Sequence, residues 1–288
     1  MAYANFIPTV WNAGIDRELE RLCVFAEDCN RKYEGAVQNK GEAVTILGVG
    51  KPTIKTMDRA AANGEIDEAE EVEDTSVLLY VNQIRYFNYM VGDIDRAQAV
   101  DGVLDALNRE TSEGLSGEID RYIANLATDP CVPKLYTAAQ KVVASDTPGS
   151  DEKNVLAVLD DAIQQLYEND VSPTANIVVT VSPRFYALFR RAYMKADTAN
   201  SGILENGRVC KYGNVQVKMS NNVCRTDSGA TDNIMIRTQR AVAFVKPRTH
   251  TEAYRPENKF ADAVKGYVLF DAKVVRPREI ININVKYA

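Results

Sequence analysis

A run of acidic residues limits how this chain can fold. The segment 63–75, NGEIDEAEEVEDT, carries seven acidic residues and no basic one. It cannot be packed into a core, because burial would strip unpaired carboxylates of their water. The flanking segments 32–57 and 76–91 contain the valine, isoleucine and aromatic residues that are typical of β-strands. We therefore expect residues 42–91 to form a two-stranded arm with the acidic run at its tip.

The arm needs a partner surface, because an isolated β-hairpin is only marginally stable in water. Its acidic tip can be a solvated loop, or it can dock on a basic surface of another copy of the chain. The second alternative makes charged residues of the arm candidates for contacts between copies. These candidates are Glu65, Asp67, Glu70, Glu71, Glu73, Lys51 and Lys55.

The C-terminal part of the chain carries the opposite charge. From Arg237 to the end there are eleven basic residues against five acidic ones, although the net charge of all 288 residues is −6. Such an excess can be ordinary surface variation, or it can complement the acidic arm of a neighbouring subunit. Arg255, Lys259 and Arg276 are the basic candidates for that contact.

A long helix is predicted from Asp93 to about Ala127, where apolar residues recur every three or four positions. At a rise of about 1.5 Å per residue, such a helix is a rod of roughly 50 Å. Gly114 and Gly117 weaken its middle, since glycine costs on the order of 1 kcal/mol relative to alanine inside a helix. We expect these two glycines to let the helix bend.

Helical and strand-like segments alternate in the rest of the chain. Residues 1–30 contain one narrow apolar stripe, as in a helix that docks on another surface. A helix is predicted over 151–168 and a strand over 176–181, followed by a helix that Ser182 caps and Pro183 begins. Strand-like segments return towards the C-terminus. These elements together predict a mixed α+β fold.

The sequence predicts no catalytic residue, no cofactor and no metal site. His250 is the only histidine, so a zinc site with paired histidines cannot form. The stretch from Gly48 to Lys51 is similar to a phosphate-binding loop, but Thr45 and Pro52 occupy positions that need glycine and Ser or Thr. The five cysteines are odd in number and scattered, which indicates free thiols in a reducing cytoplasm. We therefore expect a protein that is not an enzyme.

Composition excludes further classes of protein. No uninterrupted apolar run exceeds five residues, whereas a membrane-spanning helix needs about 20. The net charge of −6 has the wrong sign for a protein that coats nucleic acid by neutralising phosphates. With 45% apolar residues, the chain can bury the core of one large domain or of two ordinary ones.

Several segments resemble one family of proteins. The longest is EAYRPENKFADAVKG at 252–266, which is followed by AKVVRP at 272–277. NFIPTVW at 5–11, GDID at 92–95 and SNNV at 220–223 add to the likeness. With these segments, the order of arm, hairpin, long helix, alternating unit and returning strands resembles the major capsid proteins of tailed bacteriophages, which have the Hong Kong ninety-seven coat fold.

The resemblance implies a division of the chain. Residues 1–31 would be the N-terminal arm, and 32–92 would hold the extended loop that reaches over an adjacent subunit. Residues 93–149 and 237–288 would form the peripheral domain with the long helix as its spine, and 150–236 the axial domain. Some members of the family cross-link a lysine to an asparagine between subunits, but neither the partner asparagine nor the assisting acid can be matched in this chain.

The resemblance also implies a function. We expect a major capsid protein that self-assembles through pentamers and hexamers into an icosahedral shell around the double-stranded DNA of a phage, without sequence-specific DNA binding. Scaffolding, portal and decoration proteins would be its partners. The subunit would be made in the cytoplasm of the bacterial host and would end in the virion. An encapsulin-type cargo compartment of the same fold is the alternative.

Overall fold

The computed structural model describes most of the chain and three α-helices within it. The described residues are 23–34, 43–49, 54, 74–92, 103–145, 147–196, 204–205, 208–209 and 211–287. The helices in these residues are α1 (Val103–Asn125), α2 (Val155–Glu168) and α3 (Pro183–Ala196). The strands are β1 (Ala43–Val49), β2 (Asp74–Tyr80), β3 (Gln83–Gly92), β4 (Gln140–Val143), β5 (Glu152–Asn154), β6 (Ile177–Val181), β7 (Leu204–Glu205), β8 (Arg208–Val209), β9 (Lys211–Tyr212), β10 (Val215–Met219), β11 (Cys224–Thr226), β12 (Thr231–Thr238), β13 (Val242–Tyr254), β14 (Ala261–Val274) and β15 (Ile280–Tyr287).

The largest sheet joins eight strands in the order β5-β4-β15-β12-β6-β10-β9, with β11 also paired to β12. Parallel pairs such as β6 and β10 lie beside antiparallel pairs such as β12 and β15. Every residue of β6 and β12 is buried, as expected for central strands that are covered on both faces. Leu159 of α2 and Phe185 and Phe189 of α3 pack into the same core. The predicted α+β class is confirmed.

Strands of this sheet come from both predicted domains. β6 and β10 lie in the range assigned to the axial domain, whereas β4 and β15 lie in the ranges assigned to the peripheral domain. One sheet therefore spans both ranges, and the division between them stays a prediction.

Helix α1 packs against a second sheet, whose three strands follow the order β13-β14-β3. Ile119 and Ile123 form part of its buried face, because residues four positions apart share one side of a helix. The ring of Tyr122 meets the ring of Phe270 edge-on at 5.5 Å, and its hydroxyl donates to Asp271 at 2.7 Å. These contacts fix the helix across the sheet. Its predicted first turns, residues 93–102, lie outside the described residues.

The base of the predicted arm is present as an antiparallel hairpin. Ala43 of β1 lies opposite Tyr80 of β2, and Val49 lies opposite Asp74. The tip, residues 50–73 apart from Ile54, lies outside the described residues. The hairpin is anchored on the body of the protein by a small apolar cluster. Its buried members are Val44, Ile46, Leu79, Val81, Ala243, Val245 and Leu269.

The predicted extent of the arm, 42–91, is wrong. The strand-like segment is split after Tyr80, and β3 leaves the hairpin to pair with β14. Val81 is fully buried, and the backbone N–H of Asn82 donates to the Asp271 carboxylate at 3.2 Å. These two residues turn the chain from one sheet into the other. Strand-like composition indicates a strand but not its partner, which is why the segment was predicted as one unit.

Two helix starts follow from local hydrogen bonds. Helix α2 begins at Val155 and not at 151, because 152–154 form β5 and the Asn154 side chain accepts the N–H of Leu156 at 3.0 Å. The start predicted for the next helix is confirmed: Pro183 is the first residue of α3. The Oγ of Ser182 accepts the N–H of Phe185 at 3.3 Å, as an N-cap residue does.

Candidate inter-subunit surfaces

The loop between β13 and β14 carries exposed apolar and basic side chains. Phe260 is 85% exposed, and Tyr86 and Met90 on strand β3 are 80% and 53% exposed. The Nζ of Lys259 lies 3.8 Å from the Sδ of Met90, and Arg255 belongs to the same loop. Large exposed apolar side chains beside an arginine are typical of protein-binding surfaces. We call these five residues the loop surface.

The strand register places Tyr86 and Met90 on the outer face of the sheet. Tyr89, one position before Met90, faces α1, because its hydroxyl donates to Asn108 at 2.8 Å. Because successive side chains of a strand point to opposite faces, Tyr86 and Met90 point away from that helix. Their aromatic and thioether groups are therefore not covered by the part of the chain that the structure describes.

The hairpin has a second exposed apolar face. Leu78 and Tyr80 of β2 are 40% and 52% exposed, while Leu79 between them is 1% exposed and belongs to the anchoring cluster. Lys273 fastens the strand from the side, since its Nζ donates to the carbonyl of Leu78 at 2.8 Å. One face of β2 thus packs on its own subunit, and the other face exposes apolar area.

The hairpin base and the loop surface lie at opposite ends of one sheet. The hairpin packs beside Ala243 and Leu269, whereas the loop surface begins after Tyr254, which pairs with Ala263. Strand β14 connects the two ends and has 14 residues, which span about 45 Å at roughly 3.3 Å per residue. Two exposed surfaces at opposite ends of one sheet favour head-to-tail contact between copies.

Comparisons with known proteins identify the fold. No family model matches the sequence, and no curated protein matches it. Among solved structures, a chain of Mycobacterium phage Che8 is 26% identical, with a TM-score of 0.68 over 90% of both chains. The capsid of cyanophage P-SCSP1u is 15% identical, with a TM-score of 0.66 over 88% of this chain and 85% of that one. The mature capsid of bacteriophage PhiM1 is 14% identical, with a TM-score of 0.61 over 90% and 87%.

This chain has the fold of phage capsid proteins. The resemblance stated from the sequence is therefore confirmed. The order of hairpin, long helix, alternating unit and returning strands corresponds to the elements that carried it.

The structure brings together some of the predicted contact residues and separates others. Arg255 and Lys259 lie together in the loop surface. Arg276 lies beyond the far end of β14, where its guanidinium pairs with Glu279 at 2.8 Å. The remaining candidates lie outside the described residues. They are Glu65, Asp67, Glu70, Glu71, Glu73, Lys51 and Lys55.

Gly114 and Gly117 lie in the middle of α1, and the helix runs through both positions without interruption. A Cβ atom added at Gly114 would have no neighbour within 4 Å, and one at Gly117 would lie 4.0 Å from Asn222. Packing therefore does not require glycine at either position. Bending of the helix stays a prediction, and packing offers no other explanation for the two glycines.

Replacing both glycines by alanine should stabilise α1 by about 1 kcal/mol at each position. It should also slow the expansion of assembled shells, because a stiffer helix bends less. Chemical unfolding of the subunit measures the first effect, and particle diameter followed over time by electron microscopy measures the second. Glu110→Ala, at an exposed position of the same helix, is the control. A double variant with raised stability whose shells expand at the wild-type rate would contradict the bending role.

A further set of contacts, not predicted from the sequence, holds residues 23–30, which we call the arm root. The backbone N–H groups of Val24 and Phe25 donate to the two carboxylate oxygens of Asp120 in α1, at 2.9 and 3.0 Å. Burial raises the pKa of the Asp120 carboxyl group, although these donors and the charge of Arg237 lower it. These hydrogen bonds therefore fix residues 24 and 25 against helix α1.

Two strands of the largest sheet hold the other side of the arm root. Arg237 of β12 is 1% exposed, and it donates to the carbonyl of Phe25 at 2.7 Å and to the Sγ of Cys29 at 3.1 Å. Lys218 of β10 pairs with Asp28 at 2.8 Å. The arm root thus ties helix α1 to the largest sheet.

The described residues of the chain show neither a metal cluster nor a membrane-spanning helix. No three His, Cys, Asp or Glu side chains among them lie close enough together to hold a metal ion. None of the helices in those residues is long and apolar enough to cross a membrane. The cysteines within the described ranges, Cys23, Cys29, Cys131 and Cys224, are free thiols.

Proposed function

We propose that copies of this coat protein self-assemble, through pentamers and hexamers, into the icosahedral shell that encloses the double-stranded DNA genome of a tailed bacteriophage. The subunit is a major capsid protein with a structural role and no catalytic one. The observation that carries the proposal is the fold shared with the Che8 chain over 90% of both chains at 26% identity.

The geometry of the exposed surfaces supports head-to-tail assembly. The hairpin of one copy covers the loop surface of the next, which places Leu78 and Tyr80 near Met90 and Phe260 and removes apolar area from water. The acidic tip of the hairpin approaches a basic surface, and opposite charges speed association and fix orientation. Such head-to-tail contacts close into a ring when a whole number of copies completes a full turn.

Further proteins complete the particle. Scaffolding, portal and decoration proteins are the proposed partners, and the shell is assembled in the cytoplasm of the bacterial host before it becomes part of the virion. A solved procapsid of satellite phage P4, which is 12% identical with a TM-score of 0.61, includes a size determination protein. This example supports a second protein as a partner during assembly.

A charge-reversal experiment tests the contact. The double variant Arg255→Glu with Lys259→Glu should weaken assembly by about tenfold or more, because it opposes like charges across the interface. Adding Glu70→Lys and Glu71→Lys should restore assembly, since the opposite signs then meet again. Lys32→Glu, an exposed lysine outside both surfaces, is the control. Light scattering of assembling subunits measures the yield.

Two outcomes would contradict the proposal. The first is a wild-type protein that remains a monomer in negative-stain electron microscopy under every assembly condition. The second is a double variant that assembles as well as Lys32→Glu. That result would show that the loop surface is not part of the interface, although the fold would be unaffected.

An encapsulin-type compartment is less well supported. A virus-like particle from Pyrococcus furiosus covers 96% of this chain and 98% of its own, but at 9% identity and a TM-score of 0.55. Both values lie below those of the Che8 chain. Particles from the native source that hold DNA and carry a tail support the phage function, whereas protein cargo inside them would support a compartment.

A further inference from the structure

Helix α3 has a basic face that the contacts described above do not use. Its sequence, PRFYALFRRAYMKA, contains four basic residues and no acidic one. Phe185 and Phe189 are fully buried in the core, whereas Arg184, Arg190 and Arg191 are exposed. We call these three residues the arginine face. A basic helix surface is unexpected in a chain whose net charge is −6.

The arginines of α3 differ from those of α1 in their partners. Arg109 and Arg121 of α1 pair with Glu113 at 3.6 Å and Glu118 at 2.6 Å, so their charges are balanced within the helix. Within the described ranges, no salt bridge involves a residue of the arginine face. Among those residues, the charge of the arginine face is therefore not balanced by an ion pair.

The acidic residues of the neighbouring helix α2 are engaged elsewhere. Asp160 accepts the hydroxyl of Tyr212 at 3.0 Å, and Asp161 accepts the Nζ of Lys153 at 2.8 Å. Glu168 accepts the side-chain amide of Gln164 at 2.8 Å. Although α2 and α3 pack on one another, the carboxylates of α2 thus have partners other than the arginine face.

The chemistry of the arginine face favours phosphate over protein. The loop surface combines charge with exposed Phe260 and Met90, whereas no large apolar side chain between 183 and 193 of α3 is exposed. Interfaces with DNA are more polar and more positively charged than interfaces between proteins. The planar guanidinium group also matches a phosphate through two parallel hydrogen bonds.

We propose that the arginine face contacts the phosphate backbone of the DNA that the shell encloses, without reading its sequence. The inference rests on the proposed function, because it takes DNA as the polyanion inside the shell. It places α3 on the inner surface of the assembled particle. Three phosphate contacts in an acidic protein give weak and strongly salt-dependent binding, which suits a container that must release its DNA.

The test compares two triple variants that lose the same formal charge. R184Q/R190Q/R191Q removes the arginine face, and R109Q/R121Q/K141Q removes three cations that are paired within the subunit, Lys141 with Glu152 at 2.7 Å. Binding of the full-length protein to a fluorescent 30-base-pair duplex is measured by anisotropy across a range of salt concentrations. The slope of log affinity against log salt should fall by about 2.7 for the first variant, at about 0.9 for each phosphate contact. The second variant should keep a slope near that of the wild type.

Three results would overturn the inference. The salt slope could be unchanged in the arginine-face variant, or it could fall equally in both variants. The arginine-face variant could also lose binding to a peptide of residues 63–75 while its binding to DNA is unchanged. The last result would make the face a protein-binding surface. If the triple variant does not fold, the single variants Arg184→Gln, Arg190→Gln and Arg191→Gln, each with an expected change of about 0.9, provide the same comparison. Shell assembly is scored separately by electron microscopy, so failure of the proposed function and failure of this contact give different results.

Discussion

Replacing Arg237 by alanine should destabilise the folded subunit by about 3–5 kcal/mol. The side chain is 1% exposed, and its loss removes the guanidinium donor from the carbonyl of Phe25 and from the thiol of Cys29. The carbonyl then keeps only the weak thiol donor of Cys29, at 3.3 Å. A buried polar group without a partner costs about 1–3 kcal/mol. The substitution also opens a cavity and removes the cation that lowers the pKa of the buried Asp120. These effects act at one place, where the arm root meets the central sheet.

Chemical unfolding of the unassembled subunit measures this loss of stability. Arg240→Ala is the matched control, because Arg240 is 58% exposed and lies 3.9 Å from Glu279, and an exposed ion pair contributes less than about 1 kcal/mol. Arg237→Lys should fall between the two, since lysine keeps the charge but cannot make both hydrogen bonds in the same geometry. Equal destabilisation by Arg237→Ala and Arg240→Ala would show that Arg237 does not anchor the arm root.

The same variant should change how the N-terminal segment responds to protease. Without Arg237, the arm root keeps its bonds to Asp120 in α1 but loses those to β12. Limited proteolysis should therefore cut the segment up to residue 30 sooner than in the wild type, at a denaturant concentration where both proteins remain folded. Cleavage at the wild-type rate would mean that Asp120 and Lys218 are sufficient to hold it.

The parts of the fold that could be predicted are those that depend only on neighbouring residues in the sequence. The hairpin base follows from strand-like segments on both sides of an acidic run that no core can accept. The start of α3 follows from a serine and a proline at the two positions where each is favoured. The partner of β3 could not be predicted, because pairing with β14 depends on residues about 180 positions away in the sequence.

The residues of the arm root were missed for a different reason. Arg237 was counted with the surface charges of the C-terminal part, yet it is the largest fully buried side chain in the described residues. The apolar residues before it, Ile234, Met235 and Ile236, were a sign of burial in the sequence, and all residues of this strand are buried. Asp120 likewise follows Ile119 on a largely apolar stripe. A charge inside an apolar pattern indicates a buried partner, but the sequence does not show which one.

The loop surface was predicted only in part. Charge counting found Arg255 and Lys259, because an excess of basic residues is visible in the sequence. It did not find Phe260, because that side chain carries no charge. It did not find Tyr86 or Met90, since apolar residues in a strand-like segment are expected to face a core. Their exposure depends on which face of the sheet α1 covers, and that is a property of the tertiary structure.

Replacing Gly266 by valine should destabilise the subunit by about 3 kcal/mol, at the upper end of the usual range for overpacking. A Cβ at this position would lie 2.5 Å from the Cζ of Phe87 and 2.7 Å from the carbonyl oxygen of His250. The ring of Phe87 can turn aside, but the carbonyl belongs to the backbone of β13. Strand β14 cannot shift away from it, because it is paired on both sides, with β13 and with β3. Gly266→Ala should cost less, about 1–2 kcal/mol.

A double-variant cycle separates the two clashes at Gly266. Phe87→Leu should recover part of the unfolding free energy that Gly266→Ala loses, because it removes the clash with the ring but not the clash with the backbone. The effects of the two substitutions should therefore not add, as is usual for residues in contact. Gly149→Ala, whose added Cβ would meet only the half-buried side chain of Glu152 at 3.7 Å, should change the unfolding free energy by less than about 0.5 kcal/mol. Strictly additive effects of Gly266→Ala and Phe87→Leu would mean that the ring does not pack over the glycine. Since Tyr86 and Met90 flank this part of β3, distortion here should also lower assembly of the shell by more than the loss of stability alone explains.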